Sequence, residues 1–528
     1  MANIQLFQSI KGRLLPKTNA VNEAGGTAYE FTAEHALAQY AATGCLNGTY
    51  YASAETQLDK VLELCTRVDA ITVAKTAVYC REHGYMKDMP ALLLALLSVK
   101  GQDYLPLAFP RVVNNGKMLR NFVQILRSGV VGRKSLGTRP KKLVQAWLNN
   151  ADEKALLAAS VGNSPSLADV VKMVHPKPVE AWREAFFAWL IGKPYNHDAL
   201  PPMTRAFEEF KRCRALGIEG ELPDVPFQML TSLTLTKKDW AKIASQSGWQ
   251  MVRMNLNTFA RHGVFELPGM AERVAEKLRD EASIAKAKIF PYQLLTAYKA
   301  ASQDIPLVVR EALQDALEIA LANVPAINGK VVVCPDVSGS MSSAVTGYRQ
   351  GATTATRCVD IAALVAATYL RKQRDTLVLP FENCVVEPRK LTLNPRDTVL
   401  TNAAKLSAIC GGGTNCSSAI KWLNENRVKA DLVMLVSDNE SWGSISPFRN
   451  QPSETMRQWE IFKQSNPKAK LVCLDIQPYA TTQAQDRDDI MNIGGFSDAV
   501  FRMITAFAEG QMDPNHWVGE IDKVTLSQ

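Results

Sequence analysis

Val331-Val332-Val333-Cys334-Pro335-Asp336-Val337-Ser338-Gly339-Ser340 decides how this chain is read. The apolar run Val331–Cys334 has the look of a strand buried on both faces. An aspartate and two serines, spaced by single residues beyond a strand's end, can turn three oxygen atoms toward one point. Such a set suits a hard divalent cation such as Mg²⁺, which takes a few oxygen ligands and keeps its waters. In an open α/β sheet, ligands bind in the crevice beyond the carboxyl ends of the strands. Aspartate and serine also crowd into turns for capping reasons, so the run needs support from elsewhere.

Two later segments supply it. Gly411-Gly412-Gly413-Thr414-Asn415 precedes a helical pattern of Ile420, Trp422 and Leu423, which puts Thr414 at a loop-to-helix junction. Leu432-Val433-Met434-Leu435-Val436-Ser437-Asp438 is a second buried strand ending in an aspartate. Strand with Asp-x-Ser-x-Ser, loop threonine and strand aspartate, in that order, resemble the metal-ion-dependent adhesion site of a von Willebrand factor A domain. The resemblance implies Asp336, Ser338, Ser340, Thr414 and Asp438 as ligands of Mg²⁺ or another divalent cation.

From about residue 327 to 528 strands alternate with helices. Strands are expected at Lys330–Cys334, Asp375–Leu379, Leu432–Ser437 and Lys470–Ile476. Helices are expected at Val359–Lys372, from Asn415, and around Ala499–Ala508. That alternation predicts a doubly wound, mostly parallel α/β sheet. Residues 1–326 read differently. Ala54–Glu82, Pro90–Ser98, Met118–Arg127, Pro140–Leu148, Leu167–Val174 and Val179–Leu190 place apolar residues at helical spacing, with Pro and Gly between them. The fold class is therefore multidomain. A helical array of HEAT-like character without a strict sequence period comes first, and an α/β domain follows.

The net charge of +8 is unevenly spread. Residues 1–330 carry 40 Lys+Arg against 31 Asp+Glu, a net of +9, and residues 331–528 carry 20 against 21, a net of −1. Within residues 101–150 there are nine basic residues and one acidic residue, Asp103. That imbalance fits a polyanion partner better than an ordinary solvated helix face. No apolar stretch is long enough to cross a membrane. Met1-Ala2-Asn3-Ile4-Gln5-Leu6 lacks the charge and apolar block of an export signal. The ten cysteines are scattered, with no Cys-x-x-Cys pair, and read as reduced thiols. A cytoplasmic protein without a membrane partner is expected.

Two sites in the helical part have phosphate-binding logic. The first is Gly132-Arg133-Lys134-Ser135-Leu136-Gly137-Thr138-Arg139-Pro140-Lys141-Lys142. Pro140 suits the first position of a helix, with Thr138 or Arg139 as its cap, and Lys141 and Lys142 would then lie in the first turn. Cations there oppose the helix dipole but suit a phosphate held by free N–H groups. The second site is Leu167–Val174 followed by His175-Pro176-Lys177-Pro178. Lys172 and His175 are three residues apart and share a face. An imidazole can stack on a base and hydrogen-bond it. On the residues alone, a histidine before a proline is more often a helix-end cap than a ligand.

A family resemblance changes that weighting. The helical part resembles the TROVE module of the Ro autoantigen family. The segments that carry the likeness are Gly48-Thr49-Tyr50-Tyr51, Lys141-Lys142 shortly before Trp147, Leu167–Val174 with His175-Pro176-Lys177-Pro178, and Phe290-Pro291-Tyr292-Gln293-Leu294-Leu295. The family pairs this module with a C-terminal A domain, the order found here. Pro140 and the Ser135-Leu136 loop depart from the animal pattern. The resemblance implies a closed helical ring that binds Y RNA on its basic outer surface and single-stranded ends of misfolded RNA in a central hole. It makes Lys141, Lys142 and His175 RNA contacts, joined by Lys172 on the same helix and by Arg133, Lys134 and Arg139 through proximity. It also implies a non-catalytic, monomeric scaffold for RNA quality control, with polynucleotide phosphorylase as a partner through the RNA.

Two other readings compete. One is a Mg²⁺-dependent nuclease or phosphatase built on Asp336 and Asp438. Two-metal hydrolysis usually needs several carboxylates and a base, whereas here two serines and a threonine supply neutral oxygens. The other is a metal-dependent protein-adhesion module, which leaves the basic bias of residues 101–150 unexplained.

Overall fold

The computed structural model describes residues 15–43, 46–348, 356–387, 391–441, 451–496, 499–512 and 515–527. Met1–Leu6, where the absence of an export signal was read, lies outside them. Two compact units are formed, one by residues 1–67 with 275–523 and the other by 68–274 with 524–528. Secondary structure does change near the expected boundary, from a 3₁₀ turn at Leu321–Asn323 to a strand starting at Val331. Packing nevertheless groups the N-terminal residues with the α/β part.

The first unit holds strands β1 (Ala20–Val21), β2 (Thr27–Glu30), β3 (Val331–Pro335), β4 (Leu377–Val378), β5 (Leu432–Ser437), β6 (Lys470–Asp475), β7 (Thr481–Thr482) and β8 (Ile490–Gly494). β4-β3-β5-β6-β8 form one sheet, parallel throughout. β3, β5 and β8 are buried along their whole length, which explains the almost unbroken apolar character of β3 and β5. The helix Cys358–Lys372 is buried from Cys358 to Leu370 and packs on β3. Chain order reverses direction at β3, so the crevice beyond the ends of β3 and β5 is the switch point of the sheet. β1, β2 and β7 make a small antiparallel sheet that the helical reading of residues 1–326 did not anticipate.

The second unit is helical. Asp88–Lys100 packs on Ala70–Glu82 and on Gly116–Ser128, and Leu167–Val174 packs on Gly116–Ser128, Thr138–Asn150 and Ala181–Leu190. The single helix expected over Ala54–Glu82 is broken. Asp69 leaves the helical region at φ −76° and ψ 163°, and its side chain accepts from the Thr72 N–H to start a new helix at Ala70. Apolar periodicity continues across the break, so it was not visible in the pattern. Among the described residues no helix is long and apolar enough to cross a membrane, and the cysteines are free thiols.

Candidate nucleic-acid interface and metal centre

The loop before Thr138–Asn150 depends on two glycines with left-handed backbone, Gly132 at φ 84° and Gly137 at φ 72°. Gly137 is the helix N-cap. A side chain on it would also meet the Arg133 guanidinium, which lies 2.0 Å from where its Cβ would be. Pro140 is thus the third helical residue and not the first, and the Lys141 N–H already donates to the Gly137 carbonyl at 3.2 Å. Lys141 and Lys142 therefore start the second turn. Thr138 and Arg139, and not the lysines, carry the free N–H groups at the helix start.

The helix Leu167–Val174 begins with a capping box between Ser166 and Asp169. It ends at His175, whose backbone is left-handed at φ 50° and whose N–H donates to the Val171 carbonyl at 3.0 Å. The backbone of His175 is a cap, as the residues alone suggest, while its side chain stays exposed. Gln145 Nε2 donates to the Val174 carbonyl at 2.6 Å and to the His175 carbonyl at 3.3 Å. That clamp holds the two basic segments side by side.

Between them lies an open groove of about 960 Å³. Lys134, Lys141, Lys142, Lys172, His175 and Arg127 line it together with Ser135, Thr138, Gln145 and Met173, and no carboxylate does. Among the described residues none of the four lysines is within salt-bridge distance of a carboxylate. Positive charge gathered without a counter-charge focuses field on an incoming polyanion. Arg127, which ends the helix Gly116–Ser128, was not singled out from sequence. It reaches the groove through its contact with Met173 Sδ at 2.8 Å. A neighbouring hollow of about 630 Å³ shares Arg127, Lys172 and Met173.

Arg133 and Arg139 are placed elsewhere. Arg133 donates to the Ser135 carbonyl at 2.9 Å and the Ser98 carbonyl at 3.2 Å, pinning the loop to the helix Asp88–Lys100. Arg139 pairs with Asp103 at 3.0 Å.

At the ends of β3 and β5, Asp336, Ser338, Ser340, Thr414 and Asp438 are each at most 6% exposed. The glycine loop is laced to the serine turn. Gly411 N–H donates to the Val337 carbonyl at 2.8 Å and Gly339 N–H to the Gly412 carbonyl at 3.0 Å. Gly412 sits at φ 77°, and a side chain there would collide with Glu382. Thr414 follows this loop and is 2% exposed. Asp336 Oδ1 accepts from the Ser338 N–H at 2.8 Å and Oδ2 from Ser437 Oγ at 2.5 Å. Ser338 and Ser340 hydroxyls are 3.2 Å apart. Asp438 Oδ1 accepts from the Glu440 N–H at 3.2 Å, while its buried Oδ2 has no hydrogen-bond partner among the described residues.

Burial, and then the charge of Asp438, push the Asp336 carboxyl up to about 7. Burial also raises Asp438, against hydrogen bonds from Ser340 and the Glu440 backbone. Two buried carboxylates, one with an orphaned oxygen, and the Ser338 and Ser340 hydroxyls are oxygen donors of the kind a hard cation takes. One further residue was missed from sequence. Glu440 is 0% exposed, with Oε2 accepting from the Ala24 N–H at 3.0 Å. Glu440 could have been suspected from its place two residues after Asp438.

Residues 330–508 match the family model described as the Ro60 vWA domain. Over 93% of its length the chain is 26% identical to "RNA-binding protein RO60" of Deinococcus radiodurans, covering 95% of that protein. It is 25% identical over 46% of its length to "RNA-binding protein RO60" of Caenorhabditis elegans, covering 37% of that protein. The crystal structure of the Deinococcus radiodurans RO (RSR) protein superposes with a TM-score of 0.63 at 24% identity. That superposition covers 91% of this chain and all of the other, and shows a shared fold.

Proposed function

We propose that this chain, which resembles the Ro family over nearly its whole length, is an RNA-binding protein of that family whose groove around Lys141 and His175 is the RNA interface. One observation carries this reading. Lys134, Lys141, Lys142, Lys172 and Arg127 converge on one open groove that no carboxylate lines. Phosphate contacts from these cations supply most of the affinity, which makes it steeply salt-dependent. The exposed His175 ring offers a base a stacking and hydrogen-bonding partner. Relatives that bear the name RNA-binding protein support the same conclusion.

The RNA proposed for this groove is a Y-like small RNA. The protein then acts as a non-catalytic cytoplasmic scaffold that offers misfolded or single-stranded RNA to an exoribonuclease such as polynucleotide phosphorylase. The test is a gel shift with RNA that co-purifies with the protein. Lys141→Glu with Lys142→Glu should weaken binding by more than about tenfold, since two phosphate contacts become repulsions. Unchanged affinity refutes the interface.

The A-domain site is proposed to hold Mg²⁺ or another divalent cation through Asp336, Ser338, Ser340, Thr414 and Asp438. When bound, the cation supplies the positive charge that two buried carboxylates need. The neutral oxygens favour binding over hydrolysis, which needs a positioned base. Mg²⁺-dependent RNA cleavage that disappears in Asp336→Ala would replace this reading with an enzymatic one.

A further inference from the structure

We infer that the hollow beside the lysine groove is a nucleobase pocket, in which one unpaired base of the bound RNA lays its Watson–Crick edge on Asp169 and Gln124. The inference rests on the reading of the adjoining groove as the RNA interface. It adds what the RNA must present there: an unpaired nucleotide whose base carries an amino group.

The hollow and the groove differ in charge. No carboxylate lines the groove, whereas Asp169 lines the hollow of about 630 Å³. A phosphate is drawn to the first and repelled from the second, so the RNA backbone stays in the groove. Arg127, Lys172 and Met173 line both and mark the junction. A nucleotide whose phosphate is held at Lys172 has the hollow open to its base. The volume lies within the roughly 300–1,000 Å³ of ordinary small-molecule sites.

The walls suit a flat ring. Val123, Pro165 and the Met173 thioether supply apolar and polarisable surface. The Arg127 guanidinium, 2.8 Å from Met173 Sδ, is a plane on which a base can stack. The Pro165 wall is held in place. Arg120 Nη2 donates to the Val161 carbonyl at 2.5 Å and Nη1 to the Pro165 carbonyl at 3.5 Å, which ties that loop to the helix Gly116–Ser128.

Two polar groups are left over for a ligand. Asp169 Oδ2 accepts from the Ser166 N–H at 2.9 Å and from Ser166 Oγ at 2.7 Å, while Oδ1 accepts no hydrogen bond among the described residues. The bonds from Ser166 hold the carboxyl below its usual range, so near neutral pH it can only accept. Gln124 is exposed, and its amide is unengaged among the described residues. It offers both a donor and an acceptor. A carboxylate and an amide together fit an edge that carries an amino group, as adenine, cytosine and guanine do. Uracil presents its N3–H between two carbonyl oxygens, which a carboxylate repels. Base pairing hides the same edge, so duplex RNA is left to the groove alone.

The test measures the affinity of the full-length protein by gel shift for short oligoadenylate, oligocytidylate and oligouridylate, and for the adenylate–uridylate duplex. The wild-type chain is expected to bind the first two about tenfold more tightly than oligouridylate, the weight of one well-held base. Asp169→Ala with Gln124→Ala should bring the three single strands to one affinity and leave the duplex unchanged. Ser166→Ala weakens the same helix cap but keeps both groups, so it should keep the preference. Equal binding of the three single strands by the wild-type chain overturns the base pocket alone. So does a preference that survives Asp169→Ala with Gln124→Ala, or one that is lost in Ser166→Ala. Lys141→Glu with Lys142→Glu should weaken all four probes by a similar factor. Wild-type affinity for them in that variant overturns the groove reading and the pocket with it.

Discussion

Arg139 Nη1 lies 3.0 Å from Asp103 Oδ1, and Asp103 is the single acidic residue between positions 101 and 150. The pair turns the Arg139 guanidinium toward the carboxylate, and Arg139 does not line the groove. Sequence neighbours thus separate into two roles, with Lys141 and Lys142 facing the groove and Arg139 occupied beside it.

That separation predicts different salt behaviour. Each of Lys141→Ala and Lys142→Ala should flatten the slope of log K against log salt by roughly 0.7–0.9, the signature of one lost phosphate contact. Arg139→Ala should change the slope little. It should cost less than about 1 kcal/mol of stability, as a solvent-exposed ion pair does. Gel shifts at four or five salt concentrations distinguish these outcomes. An equal loss of slope in Arg139→Ala would place that residue in the interface after all.

His175 separates backbone from side chain. Its left-handed backbone at φ 50° is a conformation that glycine adopts without strain. His175→Gly should therefore leave the melting temperature unchanged or slightly raised. If the exposed ring stacks on a base, RNA binding should fall by about 1–3 kcal/mol. A melt and a gel shift on the same preparation check both. Full RNA affinity in the glycine variant would reduce His175 to its capping role.

How much of this was legible in the sequence depended on range. Apolar spacing was enough to place Leu167–Val174 and Leu432–Ser437 at the residues where they occur. It carried the helical part and the A domain, whereas Lys141, Lys142 and His175 were named through the family resemblance and Lys134 through proximity, and their shared groove is seen only in the fold. It misjudged Pro140 by two positions, because a glycine with positive φ can cap a helix as well as a threonine can. Proximity in sequence placed Arg133 beside Lys134, but side-chain direction is set by the Ser98 and Ser135 carbonyls. β8 was missed because Asn492 and Gly494 interrupt its apolar run, although all five residues are buried. β1, β2 and β7 are two to four residues long, too short for periodicity to register, and β2 pairs with β7 across some 450 positions.

Arg183 holds the end of the lysine-bearing helix. It is 4% exposed, and Nη1 donates to the Leu148 carbonyl at 2.9 Å and the Ala151 carbonyl at 2.6 Å. These carbonyls lie at the C-terminus of Thr138–Asn150, where intrahelical partners run out. Arg183→Met keeps most of the volume but leaves both acceptors without this donor. It should destabilise the helical unit by about 2–4 kcal/mol. The loss should appear in denaturant melts and as faster amide exchange in residues 138–150. Wild-type stability in the variant would mean that water replaces the guanidinium.

Asp360 offers a prediction in pH. Its carboxylate is 1% exposed and lies 2.5 Å from Lys299 Nζ and 3.1 Å from Arg357 Nη2. It also accepts from the Arg357 N–H at 2.8 Å, closing the start of the helix Cys358–Lys372. Burial alone would raise the carboxyl, but the bonds from Arg357 and Lys299 together outweigh it and hold the group below its usual range. A carboxyl depressed in the folded state stabilises the fold above its unfolded value of about 3.9. That stability is lost as pH falls through the lower folded value. Asp360→Asn removes the charge at every pH. It should therefore cost about 1–3 kcal/mol at pH 7, a figure reduced from that of a fully buried pair because both cations are partly exposed. The gap between variant and wild type should hold down to about pH 4 and narrow below it, as the wild-type carboxyl takes up its proton. Melts across that range test the assignment. A gap that stays constant to the lowest pH would show that Asp360 acts through packing and not through its charge.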